Sequence, residues 1–188
     1  MKSGKLTRFN LRAVTAALAS LVVLGGVGVG MHAYAATATG TANATVVTPI
    51  AIVAANPLTF GAFSTDAAGQ TVTITPAGGR SGTVTRLVTA GNAGAPNFGA
   101  GTFSVTGDNV LNLTYAITLP IDGVVSITTP GVGSTRTMAV STFTSNPSGT
   151  GTLTSGAQTL AVGATLTTVA SQVSGAYTGT YNVTVEYN

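Results

Sequence analysis

From residue 36 onward the chain carries four carboxylates, Asp66, Asp108, Asp122 and Glu186, and three guanidiniums, Arg80, Arg86 and Arg136. Two carboxyls facing one glycosidic bond could cleave it, one as acid and the other as base or nucleophile. Three of the four, however, stand in turn sequences, Asp66-Ala-Ala-Gly69, Gly107-Asp108-Asn109 and Asp122-Gly123, where Asp serves to bond its own backbone. Ser and Thr are plentiful, but a hydroxyl nucleophile needs a base, and the stretch holds no His or Lys. The chain has no Cys, so transition-metal ligands are missing. The Asp-x-Asp clustering that Ca²⁺ favours is missing too. Gly61, Gly99 and Gly101 are not followed by Gly-Lys-Ser/Thr, which leaves no phosphate loop. The expectation is a protein that is not an enzyme and binds no cofactor or metal.

The first 35 residues read differently. Lys2, Lys5, Arg8 and Arg12 form a positive start, residues 13–31 are apolar and uncharged, and Ala33-Tyr34-Ala35 precedes Ala36. That is the pattern of a secretory signal cleaved between Ala35 and Ala36. An uncleaved anchor competes, because the apolar stretch approaches the length of a spanning helix. Gly25, Gly26, Gly28 and Gly30 weaken it as a helix. Cleavage leaves 153 residues in which three arginines face four carboxylates, a net charge of −1. The basic character of the full chain therefore belongs to the signal. The remaining arginines are too few to neutralise a run of phosphates, which excludes nucleic acid as a partner. Once cleaved, the chain is not expected to remain inserted in a membrane.

One domain of this length can bury a core without disulfides. Thr, Val, Gly, Ala and Ser dominate, a composition suited to extended backbone. Its apolar content and scarcity of charge run opposite to those of disordered chains. Low charge leaves little repulsion between copies, which favours assembly. Short apolar runs alternate with Gly, Pro, Asn and Asp clusters and predict strands over 44–53, 58–63, 71–75, 83–89, 102–106 and 113–119. Further strands are predicted over 124–128, 137–144, 159–162, 165–169 and 177–187. The expected fold is an all-β, immunoglobulin-like antiparallel sandwich.

Both ends of the secreted chain carry a two-residue period. At the C terminus Tyr177, Gly179, Tyr181, Val183, Val185 and Tyr187 share one face, and Thr178, Thr180, Asn182, Thr184 and Glu186 the other. This predicts a half-buried strand with its tyrosines packed on the core. At the N terminus Ala38, Gly40, Ala42, Ala44 and Val46 alternate with Thr or Asn. Small side chains of this kind fit a first strand, a frayed tail, or a strand donated to a shallow groove in another subunit. Residues 36–47 are therefore a candidate donor extension preceding a domain over 48–188.

The stretches Ala44-Thr-Val-Val-Thr-Pro-Ile50, Leu58-Thr-Phe-Gly61, Ser145-Asn-Pro-Ser-Gly-Thr-Gly-Thr-Leu153 and Gly175-Ala-Tyr-Thr-Gly-Thr-Tyr-Asn-Val-Thr-Val185 resemble the bacterial proteins grouped as domain of unknown function 4402. The resemblance spans the secreted chain. More distantly, the ending through Tyr187 is similar to the last strand of chaperone–usher pilins and spore-coat-U-like subunits. It implies an incomplete sandwich finished by a strand from the next subunit, a periplasmic chaperone, an outer-membrane assembly pore, and a filament of copies at the cell surface. By the same resemblance Tyr181, Val183, Val185 and Tyr187 would border the acceptor groove. The chain departs from many pilins in having no disulfide and in placing Ala and Gly where donor strands often carry bulky residues. Val46, Ile50 and Ile52 are an alternative donor set.

Two other readings compete. A monomeric secreted module could bind carbohydrate or another surface through Phe98, Phe103 and Tyr115. An outer-membrane barrel also alternates along its strands, but this chain has few aromatics for two girdles. Lysine's absence after cleavage forbids Lys–Asn isopeptide bonds, so noncovalent contacts are expected to hold an assembly together.

Overall fold

The computed structural model of the chain describes residues 35–66, 69–88 and 97–188. The predicted signal, with Ala33, lies outside the described residues, and Ala35 and Ala36 fall at their start. The chain divides into two compact units, Met1–Asn43 and Ala44–Asn188. In the first, residues 35–43 are exposed and have no regular secondary structure.

The second unit is all β, with one short 3-10 turn, Ser134–Arg136, among the described residues. Fourteen strands follow in order: β1 Ala51–Asn56, β2 Thr59–Phe60, β3 Phe63–Ser64, β4 Thr71–Ile74, β5 Arg80–Gly82, β6 Arg86–Leu87 and β7 Phe98–Gly99. They continue as β8 Gly101–Thr106, β9 Thr114–Thr118, β10 Val125–Thr128, β11 Thr137–Asn146, β12 Thr150–Thr152, β13 Ala157–Thr167 and β14 Thr184–Tyr187. Every described pairing is antiparallel. The larger sheet runs β1-β8-β13-β11-β10, with β4 and β5 added beside β13, and a second sheet runs β12-β9-β14. Packed together they form a β-sandwich.

Strand β13 is its spine. One edge pairs with β11, while the other pairs with β8 over its first half and with β4 over its second. Leu160, Val162, Ala164 and Leu166 alternate inward and are essentially removed from solvent, as a period of two demands. Leu160 and Val162 join Val105, Tyr115, Leu153 and Val185 in one core cluster. Ala164 and Leu166 join Phe60, Val72, Ile74, Val84, Met138 and Val140 in the other.

The sequence pattern places a break at Gly163, giving strands over 159–162 and 165–169. The structure runs one strand through it. A side chain at 163 would collide with the Ile74 carbonyl and approach the Thr75 carbonyl carbon to 2.7 Å, so glycine here permits backbone contact rather than a turn. Other predicted strands are shorter or divided. The one over 44–53 is paired only from Ala51, the one over 58–63 splits into β2 and β3, and that over 83–89 contracts to β6. Strands β5, β7 and β12 fall outside the predicted strands, because runs such as Arg80-Ser-Gly82 and Thr150-Gly-Thr152 lack apolar residues. Asp122 has a structural role. Its carboxylate accepts the Thr142 N–H at 2.6 Å, where β11 bulges between Ser141 and Thr144 and Thr142 takes φ 52°.

Candidate functional site

The C-terminal segment carries the predicted alternation but only part of the predicted pairing. Tyr177, Tyr181, Val183 and Tyr187 are half-buried and Val185 is buried, while Thr178, Thr180, Asn182, Thr184 and Glu186 are exposed. Only β14 pairs with β9, and Thr178 makes an isolated bridge to Thr128 in β10. Residues 179–183 between them have no backbone hydrogen bond among the described residues. The segment leaves the edge of one sheet, crosses the open side of the sandwich and joins the other.

Two tyrosines seat it. A side chain at Gly101 would strike the Tyr181 hydroxyl, and one at Gly107 would strike that of Tyr187. The two glycines are six residues apart, as are the two tyrosines, so the segment runs in step over β8. The Tyr181 ring meets Phe103 edge-on with centroids 6.0 Å apart and lies 5.4 Å from Phe143. Burial raises its hydroxyl pKa. The Tyr187 hydroxyl accepts the Asp108 N–H at 2.8 Å and donates to the Thr48 carbonyl at 2.8 Å. It thus ties the last strand to the chain that leads into β1.

Asp108 supports that tie. Its carboxylate accepts the N–H groups of Leu111 at 2.9 Å and Val110 at 3.0 Å. These bonds, Leu111 first, outweigh burial and hold its pKa below 3.8. A depressed carboxylate stabilises the fold above its ordinary pKa, and that contribution is lost as pH falls through the folded value. The thermal midpoint is therefore expected to fall on acidification below 3.8, and to fall less for Asp108→Asn. Melts of both proteins across the acid range check this, and an equal drop in both would refute it.

Strands β1 and β14 each have one edge without a strand partner among the described residues. Strand β1 ends the larger sheet beside β8, β14 ends the smaller sheet beside β9, and the two strands lie close together. Between the end of β1 and the 179–181 crossing is a groove of about 390 Å³ lined by Ala54, Ala55, Pro57, Phe103, Gly179 and Tyr181. Its walls are mostly small and apolar.

Of the predicted acceptor residues, Val185 and Tyr187 lie on β14, Val183 on the unpaired crossing and Tyr181 in the groove. All four point their side chains at the core that contains Leu153 and Leu160. Phe103 and Ala54, which complete the groove, were missed because nothing in their local pattern marks a strand edge. The predicted donor residues Ala38, Gly40, Ala42, Ala44 and Val46 are all exposed and unpaired, Val46 to 95%. Ile50 and Ile52 of the alternative set pack on their own domain, the latter within β1. The aromatics considered for sugar binding offer no platform. Tyr115 is buried, Arg80 covers the Phe98 ring at 4.1 Å, and Phe103 packs under Tyr181.

The family model described as Domain of unknown function (DUF4402) matches residues 50–187. No curated protein and no solved structure matches the chain.

Proposed function

The chain belongs to the DUF4402 family, a domain of unknown function, and from the geometry of its open side we propose that it is the structural subunit of an extracellular bacterial filament. In this reading residues 36–47 of one copy enter the groove between the end of β1 and the 179–181 crossing of the next. The single observation that carries it is an apolar groove beside the unpaired outer edge of β1, together with an N-terminal stretch that is exposed and without regular structure.

The two parts suit one another. Ala38, Gly40, Ala42 and Ala44 are small enough for a shallow slot whose walls include Ala54 and Ala55. Val46, otherwise left in water, adds a larger apolar side chain. Each ladder hydrogen bond nets about 1 kcal/mol, but a donated strand must break many together to leave. A head-to-tail contact of this kind does not close on itself, so it propagates into a fibre. Export through the periplasm, an escort that covers the groove before assembly, and an outer-membrane pore belong to the same proposal.

The test is immuno-electron microscopy of material sheared from cells making the whole chain, beside cells making it without residues 36–47. Filaments labelled in the first and missing in the second, with the shortened protein exported and folded, are the expected result. Filaments of equal number and length in both would refute strand donation. Folded monomer without filaments in either would refute the filament.

A further inference from the structure

We propose that this protein closes an internal ester crosslink between the side chains of Thr85 and Gln70, with Asp66 as the proton carrier. The inference is independent of the filament. It rests on four side chains that the fold brings together from the end of β3, the start of β4 and the segment before β6.

The Thr85 hydroxyl donates to Asp66 Oδ1 at 2.8 Å. The Gln70 amide nitrogen donates to the same carboxylate oxygen at 3.3 Å and to Thr85 Oγ1 at 3.4 Å. On the other side of the amide, Thr65 Oγ1 donates to Gln70 Oε1 at 2.5 Å. An alcohol, a base that touches both the alcohol and the leaving nitrogen, and a donor on the carbonyl oxygen thus surround one amide. Sequence reading set hydroxyl nucleophiles aside because His and Lys are absent. Here a carboxylate supplies the base.

The backbone holds the groups in place. Thr168 donates to the Gln70 carbonyl through both its N–H, at 2.9 Å, and its hydroxyl, at 3.2 Å. Thr83 N–H donates to the Thr71 carbonyl at 2.9 Å, and Thr71 N–H donates to Thr83 Oγ1 at 2.9 Å. Residues 70 and 85 are therefore each within two positions of a fixed backbone junction. Fixing reactants in this way replaces a bimolecular encounter by an intramolecular one, equivalent to an effective concentration of roughly 10⁵–10⁸ M in favourable cases.

In the step, Thr85 Oγ bonds to Gln70 Cδ while its proton passes to Asp66. Thr65 donates to the oxygen that gathers negative charge. The Cδ–Nε2 bond then breaks, Asp66 returns the proton to the departing nitrogen, and ammonia leaves. Atoms and electrons balance without any oxidant, reductant or other reactant. The product is a covalent clasp between β4 and the chain leading into β6, in a protein with no Cys.

Arginines at 80 and 86 make the test direct. Trypsin should release Ser81-Gly-Thr-Val-Thr-Arg86 as a free peptide unless Thr85 is esterified. The expected result for the exported chain is an intact mass lower by one ammonia and this peptide held to the fragment that ends at Arg80. Hydroxylamine should free it. Thr85→Val and Asp66→Asn should keep the ammonia and yield the free peptide, and Thr85→Ser should restore the link. An unshortened mass with full release of the peptide from the unaltered protein would overturn the proposal, whether or not the variants fold.

Discussion

A chain carrying a second copy of residues 36–47 after Asn188, joined by a short flexible linker, is expected to be exported as a monomer, to melt higher than the unextended subunit and to enter no filament. The C terminus lies immediately beyond β14, whose outer edge is unpaired. A hairpin turn there lets the added strand return toward the groove lined by Ala54 and Ala55. The groove is then filled in its own molecule at high effective concentration, and a neighbour's tail finds no acceptor. Each net kcal/mol gained should appear as about 2–4 °C in the melting midpoint of a domain this size. Calorimetry, size-exclusion chromatography and microscopy of the sheared fraction together decide the outcome. Unchanged melting with normal filaments would show that residues 36–47 do not bind this groove.

The largest stability loss from a single substitution is expected at Tyr115. It lies in β9, the middle strand of the smaller sheet, with no exposed surface. Its ring packs with Val105, Leu153, Leu160 and Val185, and a side chain at Gly151 would run into it. Its hydroxyl donates to Gln158 Oε1 at 2.8 Å. Tyr115→Ala removes the ring and leaves a cavity that rigid strands cannot collapse, a loss of about 3–5 kcal/mol. Native domains are stable by only about 5–15 kcal/mol, so the variant should be largely unfolded in mild denaturant. Tyr115→Phe keeps the ring. Gln158 Oε1 retains the Thr152 N–H at 2.9 Å, so that change should cost about 1 kcal/mol. Urea unfolding of the three proteins checks the series. Equal losses for Phe and Ala would mean that the hydroxyl, not the ring, anchors the smaller sheet. Because β9 also pairs β14, Tyr115→Ala should remove the acceptor edge and, with it, any filament.

What was legible in the sequence follows from a local rule. A strand shows its side chains alternately to opposite faces, so the inward positions of β13 and of residues 177–187 can be read from neighbours two apart. The side chains of Tyr181, Val183, Val185 and Tyr187 turn to the core as that period requires. Composition likewise determined the all-β class and the want of His, Lys and Cys from residue 36 onward. Hydrogen-bond partners obey no such rule, because an edge is satisfied by whichever strand the closed fold brings alongside. The tertiary structure alone decided that 179–183 would lie unpaired, that Gly163 would be a point of backbone contact, and that the 179–181 crossing would border a groove with the end of β1. It also decided that Asp66, Gln70 and Thr85 would meet: they come from separate strand ends, and the pairings of β3 with β6 and of β4 with β5 close the distance between them.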